Sequence, residues 1–370
     1  MAERVLMVAR TRYRFPLPPS LRRKFEALDR RLDVHVLAAA ATPADAEAAD
    51  DESFELVPPH RPRRLDGPRF YLELPFRVAR QLRHFEPDAV LAQSPYEGLG
   101  ILAGRMLARR KPKVVVEVHG DFRTATRLYG SHSRRLLAPV ADLAARTALR
   151  RADRVRTVGP FTSDVVRDVG VEPDASFPAF TDVSTFAQPT EPLPPDPSFL
   201  FVGVLERYKN VGCLVEAWRR VARWEPRATL RIVGDGTERE TVRRLVDELP
   251  GQTAWNRRLP SRGVARALDR TSVLVLPSRS EGLPRIAVEA LERGRPVLGT
   301  QAGGIPDVVQ HGVNGLLVEP ENVPALTDAM LAVARDRSLL HGLAGRSRST
   351  AADLRVTPEE YARRLESLVA

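Results

Sequence analysis

Two carboxylates, Glu281 and Glu289, stand in the segment LVLPSRSEGLPRIAVEALERGRPVLGT (274–300). An apolar run ends at Pro277, a short SRSEG loop follows, and a helix is expected to open near Pro284, because proline suits a first helical turn. The stretch Gly282, Leu283, Pro284, Arg285, Ile286 then forms the start of that helix. Backbone N–H groups there have no intrahelical acceptor, and the macrodipole favours an anion such as a phosphate. Glu281 falls just outside this cradle and Glu289 about one and a half turns into the helix, so the pair can address different parts of one extended ligand. Carboxylates accept paired hydrogen bonds from sugar hydroxyls, as an acidic residue does with ribose in dinucleotide sites. Taken alone, the segment is also readable as a plain turn followed by helix-surface acids, Glu289 and Glu292.

A histidine, His119, closes the apolar run KVVVEVHG (113–120) and precedes Gly120 and Asp121. A lone histidine is often structural, but the carboxyl end of a strand is where parallel sheets bind ligands. Metal chemistry finds no support: no D-x-D follows an apolar strand, Asp45-Ala-Glu47 falls in an Ala-rich stretch, and the histidines are scattered singly. The single cysteine, Cys213, excludes an intramolecular disulfide. No metal and no bound cofactor are therefore expected.

These residues need strands to carry them. Short apolar runs occur at 4–9, 33–38, 88–92, 113–120, 153–159, 199–203, 228–234, 272–278 and 295–300. Amphipathic stretches such as PSLRRKFEALDRRL (19–32) and VGCLVEAWRRVARW (211–224) separate most of them. That alternation predicts an α/β fold of βαβ units with parallel sheets covered on both faces. FAQPTEPLPPDPSF (186–199) holds five prolines in 14 residues and reads as a stiff connector. The expected organisation is a first domain over 1–187, a linker over 188–198, a second domain over 199–356 and a closing helix over 357–370. Thr357-Pro-Glu-Glu is a good helix start, and this last helix is a candidate to cross back onto the first domain. Residues 38–53 and 58–69 read as surface loops.

The 370 residues carry a net charge of +10. Residues 101–160 hold 14 Lys and Arg against 4 Asp and Glu, an excess equal to that of the whole chain. Such a region suits anionic lipid or a phosphorylated substrate, and equally a solvated Arg-rich face. Arg123, Arg127, Arg134 and Arg135 are its candidate contacts. Nucleic acid is disfavoured, since no stacking aromatics are interleaved with the arginines. No run approaches the ~18 apolar residues of a spanning helix, and MAERVLMVARTRYR has no signal-peptide pattern. A cytoplasmic protein is expected, working at the inner face of the membrane if the basic region meets lipid.

SRSEGLPRIAVEALERGRPVLGT resembles the E-x7-E segment of the family-4 retaining glycosyltransferases of the GT-B fold, with Glu281 and Glu289 at its acidic positions. FVGVLERYKNVGCLVEAW (201–218), LRIVGDGTERE (230–240) and AGGIPDVVQHGVNGLLVEPEN (302–322) match that family's donor domain in order and spacing. EVHGDF (117–122) and ADRVRTVG (152–159) match more weakly in the first domain. The resemblance implies two Rossmann-like parallel-sheet domains facing across a cleft. It also implies hexosyl transfer from a nucleotide-diphosphate-sugar to a hydroxyl acceptor on a glycan, a lipid-linked glycan or a small molecule. Glu281 would sit by the donor sugar and Glu289 on the ribose. Lys209 and a second cation would hold the diphosphate, and His119 would touch the sugar. The arginine expected after Gly203 is replaced by Val204, and Arg207 is the candidate substitute. The glycine-rich first loop of many members is here ARTRYRFPLPPS (9–20), whose Arg10, Arg12 and Arg14, with Asp121, are acceptor-side candidates. The loop TAWNRRLPSR (253–262) is expected near the base.

Two other functions fit the same architecture. One is a nucleotide-sugar epimerase using Asp121, Glu97 and His119. The other is a non-catalytic nucleotide-sugar-binding protein, supported by Val204 and the glycine-free first loop.

Overall fold

Each of the nine apolar runs forms a strand in the computed structural model, which describes residues 2–49, 53–60, 62, 65–124, 138–188 and 191–370. Two compact units result. One takes the chain up to Thr181 together with Val356–Ala370, and the other takes Asp182–Arg355.

In the first unit, β1 (Glu3–Tyr13), β2 (Leu32–Ala40), β3 (Phe54–Val57), β4 (Ala89–Ala92), β5 (Lys113–Val118), β6 (Arg154–Thr157) and β7 (Ala175–Ser176) form one seven-stranded sheet. Its order is β3-β2-β1-β4-β5-β6-β7, with every pair parallel. In the second unit, β8 (Ser198–Val202), β9 (Thr229–Val233), β10 (Thr253–Asn256), β11 (Val273–Leu276), β12 (Val297–Thr300) and β13 (Gly315–Val318) form a six-stranded sheet. The order β10-β9-β8-β11-β12-β13 repeats the doubly wound pattern, again all parallel. Strand order reverses between β1 and β4 and between β8 and β11, the switch points where open α/β sheets leave a crevice at their carboxyl ends. Strand cores such as Val114–Val116 and Val273–Leu276 are buried throughout, as sheets covered on both faces require.

Three expectations need revision. β1 does not end at residue 9: after a register break between Val8 and Arg12 it runs on to Tyr13, which pairs with Ala40. Arg10 and Arg12 therefore lie on a strand rather than a loop. The stretch 38–53 contains a short helix, Pro43–Ala48, closed by a capping box in which Thr42 and Asp45 bond each other's backbone N–H. The described residues 191–198 of the Pro-rich stretch expected as a linker over 188–198 are built into the second unit, which begins at Asp182. Arg295 donates to the carbonyls of Glu191 (2.7 Å) and Pro192 (3.3 Å), and Arg337 to that of Pro194 (2.8 Å). Prolines cannot join a ladder, so side-chain guanidinium groups satisfy these carbonyls instead.

The helix Pro358–Val369 packs in the core of the first unit through Tyr361, Leu365 and Val369. Thr357 caps it by accepting from Glu360 N at 3.1 Å, and Lys113 Nζ donates to Val369 O at 2.8 Å.

Candidate active site

At the switch point of the second unit, backbone contacts draw four loops together. The loop after β8 is held by the loop after β9: Leu205 N donates to Asp235 O at 3.0 Å and Glu238 N to Leu205 O at 2.8 Å. Only glycine fits at Gly234, where φ is +155° and a Cβ would lie 1.8 Å from Gly203 O. The loop after β12 braces the loop after β11 in the same way. Gly304 N donates to Glu281 O at 3.0 Å, and a Cβ on Gly304 would meet Gly282 O at 1.7 Å.

Within this frame a single 3-10 turn, Arg207–Lys209, brings Lys209 beneath the β11 loop. Lys209 Nζ lies 2.5 Å from Glu281 Oε1, and each side chain is 11% exposed. Ser278 Oγ donates to the same oxygen at 2.7 Å. Arg279 ties the two loops together: its N–H donates to Tyr208 O at 2.7 Å and its Nη1 to Arg207 O at 3.0 Å. Arg207 itself is exposed and forms no ion pair among the described residues, and Val204 is 48% exposed at the position of the expected arginine.

The helix expected near Pro284 runs Arg285–Glu292, with Pro284 as its N-cap and no side chain closing its N-terminus. Its leading N–H groups are thus left without a capping acceptor. Glu289 is set in the second turn with its side chain 14% exposed, and Arg285 reaches it only at 3.9 Å. Burial pushes the Glu289 carboxyl up to about 7, and Arg285 offsets this only in part. Glu292 is no surface acid either. It is fully buried, and both its oxygens accept from Arg355.

Trp255, in the loop expected near the base, belongs to β10 and donates its Nε1–H to Gly234 O at 2.8 Å. Beside it, Glu206, Asp235, Gly236, Thr237 and Arg239 line an open depression of about 590 Å³.

In the first unit, His119 follows β5 with its side chain 40% exposed, and its Nε2 lies 3.1 Å from Glu117 Oε2. Glu117 is buried, and its other oxygen pairs with the buried Arg156 of β6. Burial would raise the Glu117 carboxyl, but Arg156 and His119 hold it down to about 2. Arg156 also donates to Phe177 O at 2.8 Å and stacks over the Phe177 ring at 4.0 Å. Asp121 is spent locally: it accepts from Arg123 N and Nε, both at 3.0 Å, and from Thr124 Oγ1 at 2.8 Å.

Arg12 pairs with Asp66, and Arg10 lies over the Tyr71 ring at 5.7 Å, while Arg14 is exposed beyond the strand end. Glu97 is 3% exposed and bonds Ser94 and Tyr71. Burial raises its carboxyl, so it presents no exposed acid. Of the basic-region candidates, Arg123 is engaged by Asp121 and Asp168, and Arg127, Arg134 and Arg135 lie outside the described residues.

Sequence reasoning overlooked Ser278 and Arg279, although both stand in the quoted SRSEG loop, and it overlooked Glu117 and Arg156. An acid two residues before a strand-end histidine was the available signal. Among the described residues no three His, Cys, Asp or Glu gather as a metal site.

Two family models cover most of this architecture. A glycosyl transferase 4-like domain matches residues 18–175, and the glycosyl transferases group 1 model matches residues 196–336. The fold is that of solved GT-B proteins. The sucrose-phosphate synthase of Thermosynechococcus elongatus superposes with a TM-score of 0.79 at 19% identity, covering 99% of this chain and 98% of the other. HepE of Anabaena, solved with UDP and glucose, gives 0.70 at 16% identity over 100% of both chains.

The chain belongs to the group 1 glycosyl transferases, the family-4 type of the GT-B fold. Among curated relatives, the 2-deoxystreptamine N-acetyl-D-glucosaminyltransferase of Streptomyces fradiae is 30% identical over 271 residues, 67% of this chain and 62% of its own. Three other relatives are spanned over only 44%, 39% and 39% of their length.

Proposed function

We propose that this protein transfers a sugar from a nucleotide-diphosphate-sugar to an acceptor hydroxyl, with retention of configuration and without a metal. One observation carries the reading: Lys209 and Glu281 are brought to 2.5 Å from separate strand ends, beside an uncapped helix N-terminus. A buried ammonium and unpaired N–H groups suit the charge that develops on a leaving diphosphate. Lys209 takes that role, with Arg207 as a second, exposed cation, and the backbone from Gly282 through Leu283 to Ile286 cradles the phosphates. Glu289 accepts from the ribose hydroxyls and Glu281 from the donor sugar. On the family resemblance, His119 would touch the sugar.

Retention is supported by the family resemblance alone. It would let the diphosphate oxygen itself take the proton of the incoming hydroxyl on the face from which it leaves. A uridine or related nucleotide is supported by the UDP and glucose carried by the Anabaena neighbour.

Screening UDP-, GDP-, TDP- and ADP-sugars by thermal shift identifies the donor. A ligand at about 100 times its Kd adds about 2.7 kcal/mol of stability. Transfer assays in EDTA then test the metal-free mechanism, and sugar conversion without any acceptor would identify an epimerase instead. Activity that vanishes in EDTA and returns with Mn²⁺ or Mg²⁺ overturns the metal-free reading.

A further inference from the structure

The two helical layers on the first unit's sheet differ in what they show to solvent. One layer, made of Pro19–Asp29, Pro43–Ala48 and Pro358–Val369, covers the core that contains Phe25, Tyr361 and Leu365. The other, made of Asp66–His84, Pro95–Ala108 and Ala138–Arg151, covers the core that contains Phe70, Leu74, Ile101 and Leu149.

Ten large hydrophobic side chains are exposed among the described residues, and eight of them belong to the second layer or its first cap, with none on the first layer. On the first helix, Leu72 and Phe76 are 73% and 68% exposed, one turn apart, with Leu65 in line before them. On the second, Leu99 and Met106 stand two turns apart, and Met106 is 79% exposed. On the third, Val140 and Leu143 are 67% and 65% exposed. Single exposed apolar residues are ordinary, but aligned stripes on neighbouring helices mark a surface that contacts something apolar.

Charge identifies the partner. The only acids on the second and third helices, Glu97 and Asp142, are 3% and 8% exposed. Exposed cations surround the stripes. Arg109, Lys111, Arg146 and Arg151 have no ion pair among the described residues, while Arg105 and Arg110 pair with Asp153 and Glu86 at the rim. A face that combines aliphatic stripes with unpaired cations, and whose acids Glu73, Glu86 and Asp153 are each taken up by an arginine, matches an anionic lipid surface. A second copy on this face would bring the unpaired cations together, with the acids Glu73, Glu86 and Asp153 already engaged by arginines of their own chain. A phosphate backbone would leave the stripes without an apolar partner.

We propose that this helical layer docks peripherally on an anionic membrane, with Leu72, Phe76, Met106, Val140 and Leu143 entering the headgroup boundary and Arg109, Lys111, Arg146 and Arg151 meeting lipid phosphates. The proposal differs from the sequence expectation, which rested on Arg123 and its neighbours. It does not depend on the transfer reaction, because binding is read without substrate.

Co-sedimentation of the full chain with phosphatidylcholine vesicles, and with vesicles half phosphatidylglycerol, tests it. Binding is expected to the anionic vesicles only. About 0.5 M NaCl should weaken it, since screening then acts within a few ångström. Each cation is worth roughly fivefold in partitioning, so Arg109→Gln with Lys111→Gln should lower binding about 25-fold. Leu72→Ser with Phe76→Ser and Met106→Ser should lower it at least tenfold, by removing roughly three apolar side chains. These positions are exposed, and an unchanged melting curve verifies that each variant folds. No binding to either vesicle overturns the proposal, as does equal binding to both or binding indifferent to both variants. A dimer in sedimentation velocity that the serine variant dissociates would assign the face to a second copy and overturn it too.

Discussion

Glu117 Oε2 lies 3.1 Å from His119 Nε2, so a buried carboxylate holds the ring of the exposed histidine two residues further along the chain. Because that carboxylate is kept ionised at about 2, it accepts and leaves the Nε2 proton in place. Nδ1 is then the nitrogen left with a lone pair in the neutral ring.

Nitrogen-15 spectra should therefore show His119 as the Nε2–H tautomer in the wild type and a mixture in Glu117→Gln. A dominant Nδ1–H form in the wild type would refute this. Glu117→Ala should in addition cost about 3–5 kcal/mol in urea denaturation, since it strands the buried Arg156. The folded carboxyl is depressed, so its stabilisation is present above the unfolded value of 4.5 and is lost as pH falls toward about 2.

Glu289 runs the other way. Its folded carboxyl is raised from 4.5 to about 7, so its stabilising contribution is complete below 4.5 and is lost as pH rises through 7. Glu289→Gln should make the ligand-free protein more stable at pH 8, by up to about 3 kcal/mol. The same variant should weaken donor nucleotide by roughly 1.5–3 kcal/mol, the worth of a charged hydrogen bond. Denaturation and titration calorimetry read the two effects separately. Unchanged nucleotide affinity would remove Glu289 from the ribose.

Lys209→Met should lower kcat about 100- to 1,000-fold, the usual cost of removing one preorganised donor at a developing anion. Glu281→Gln, which keeps the shape of the pair, should leave nucleotide affinity closer to wild type than Lys209→Met does. Nucleoside diphosphate binding that is indifferent to Lys209→Met would place the phosphates elsewhere.

A pair of glycine substitutions separates the brace from the scaffold. Gly304→Ala forces a Cβ to within 1.7 Å of Gly282 O, so the β11 loop must shift and nucleotide affinity should fall at least tenfold. Gly342→Ala meets nothing within 4 Å in the interior of the helix Arg337–Ala352 and should instead stabilise by about 0.5–1 kcal/mol. Equal nucleotide affinity in the two variants would mean that the brace is dispensable.

The alternation of apolar runs with amphipathic stretches determined the parallel sheets, because a strand covered on both faces must be apolar along its length and a crossover needs a helix. The same local chemistry made Glu281, Glu289 and the helix start legible, since a loop, a proline and an acid are neighbours in the chain. Other features depend on residues far apart in sequence, and only the tertiary structure decided them. The Lys209–Glu281 pair spans 72 positions and the Glu117–Arg156 pair 39. Glu289 could be read as a surface acid until neighbouring side chains removed its water. Arg12 and Tyr13 read as loop residues, and only the reach of β2, which pairs Ala39 and Ala40 with them, makes them strand. The exposed stripes on three helices were equally hidden, because a helix's apolar residues do not reveal which side the sheet will cover. Burial and pairing are sums over the whole fold, and no window of sequence contains them.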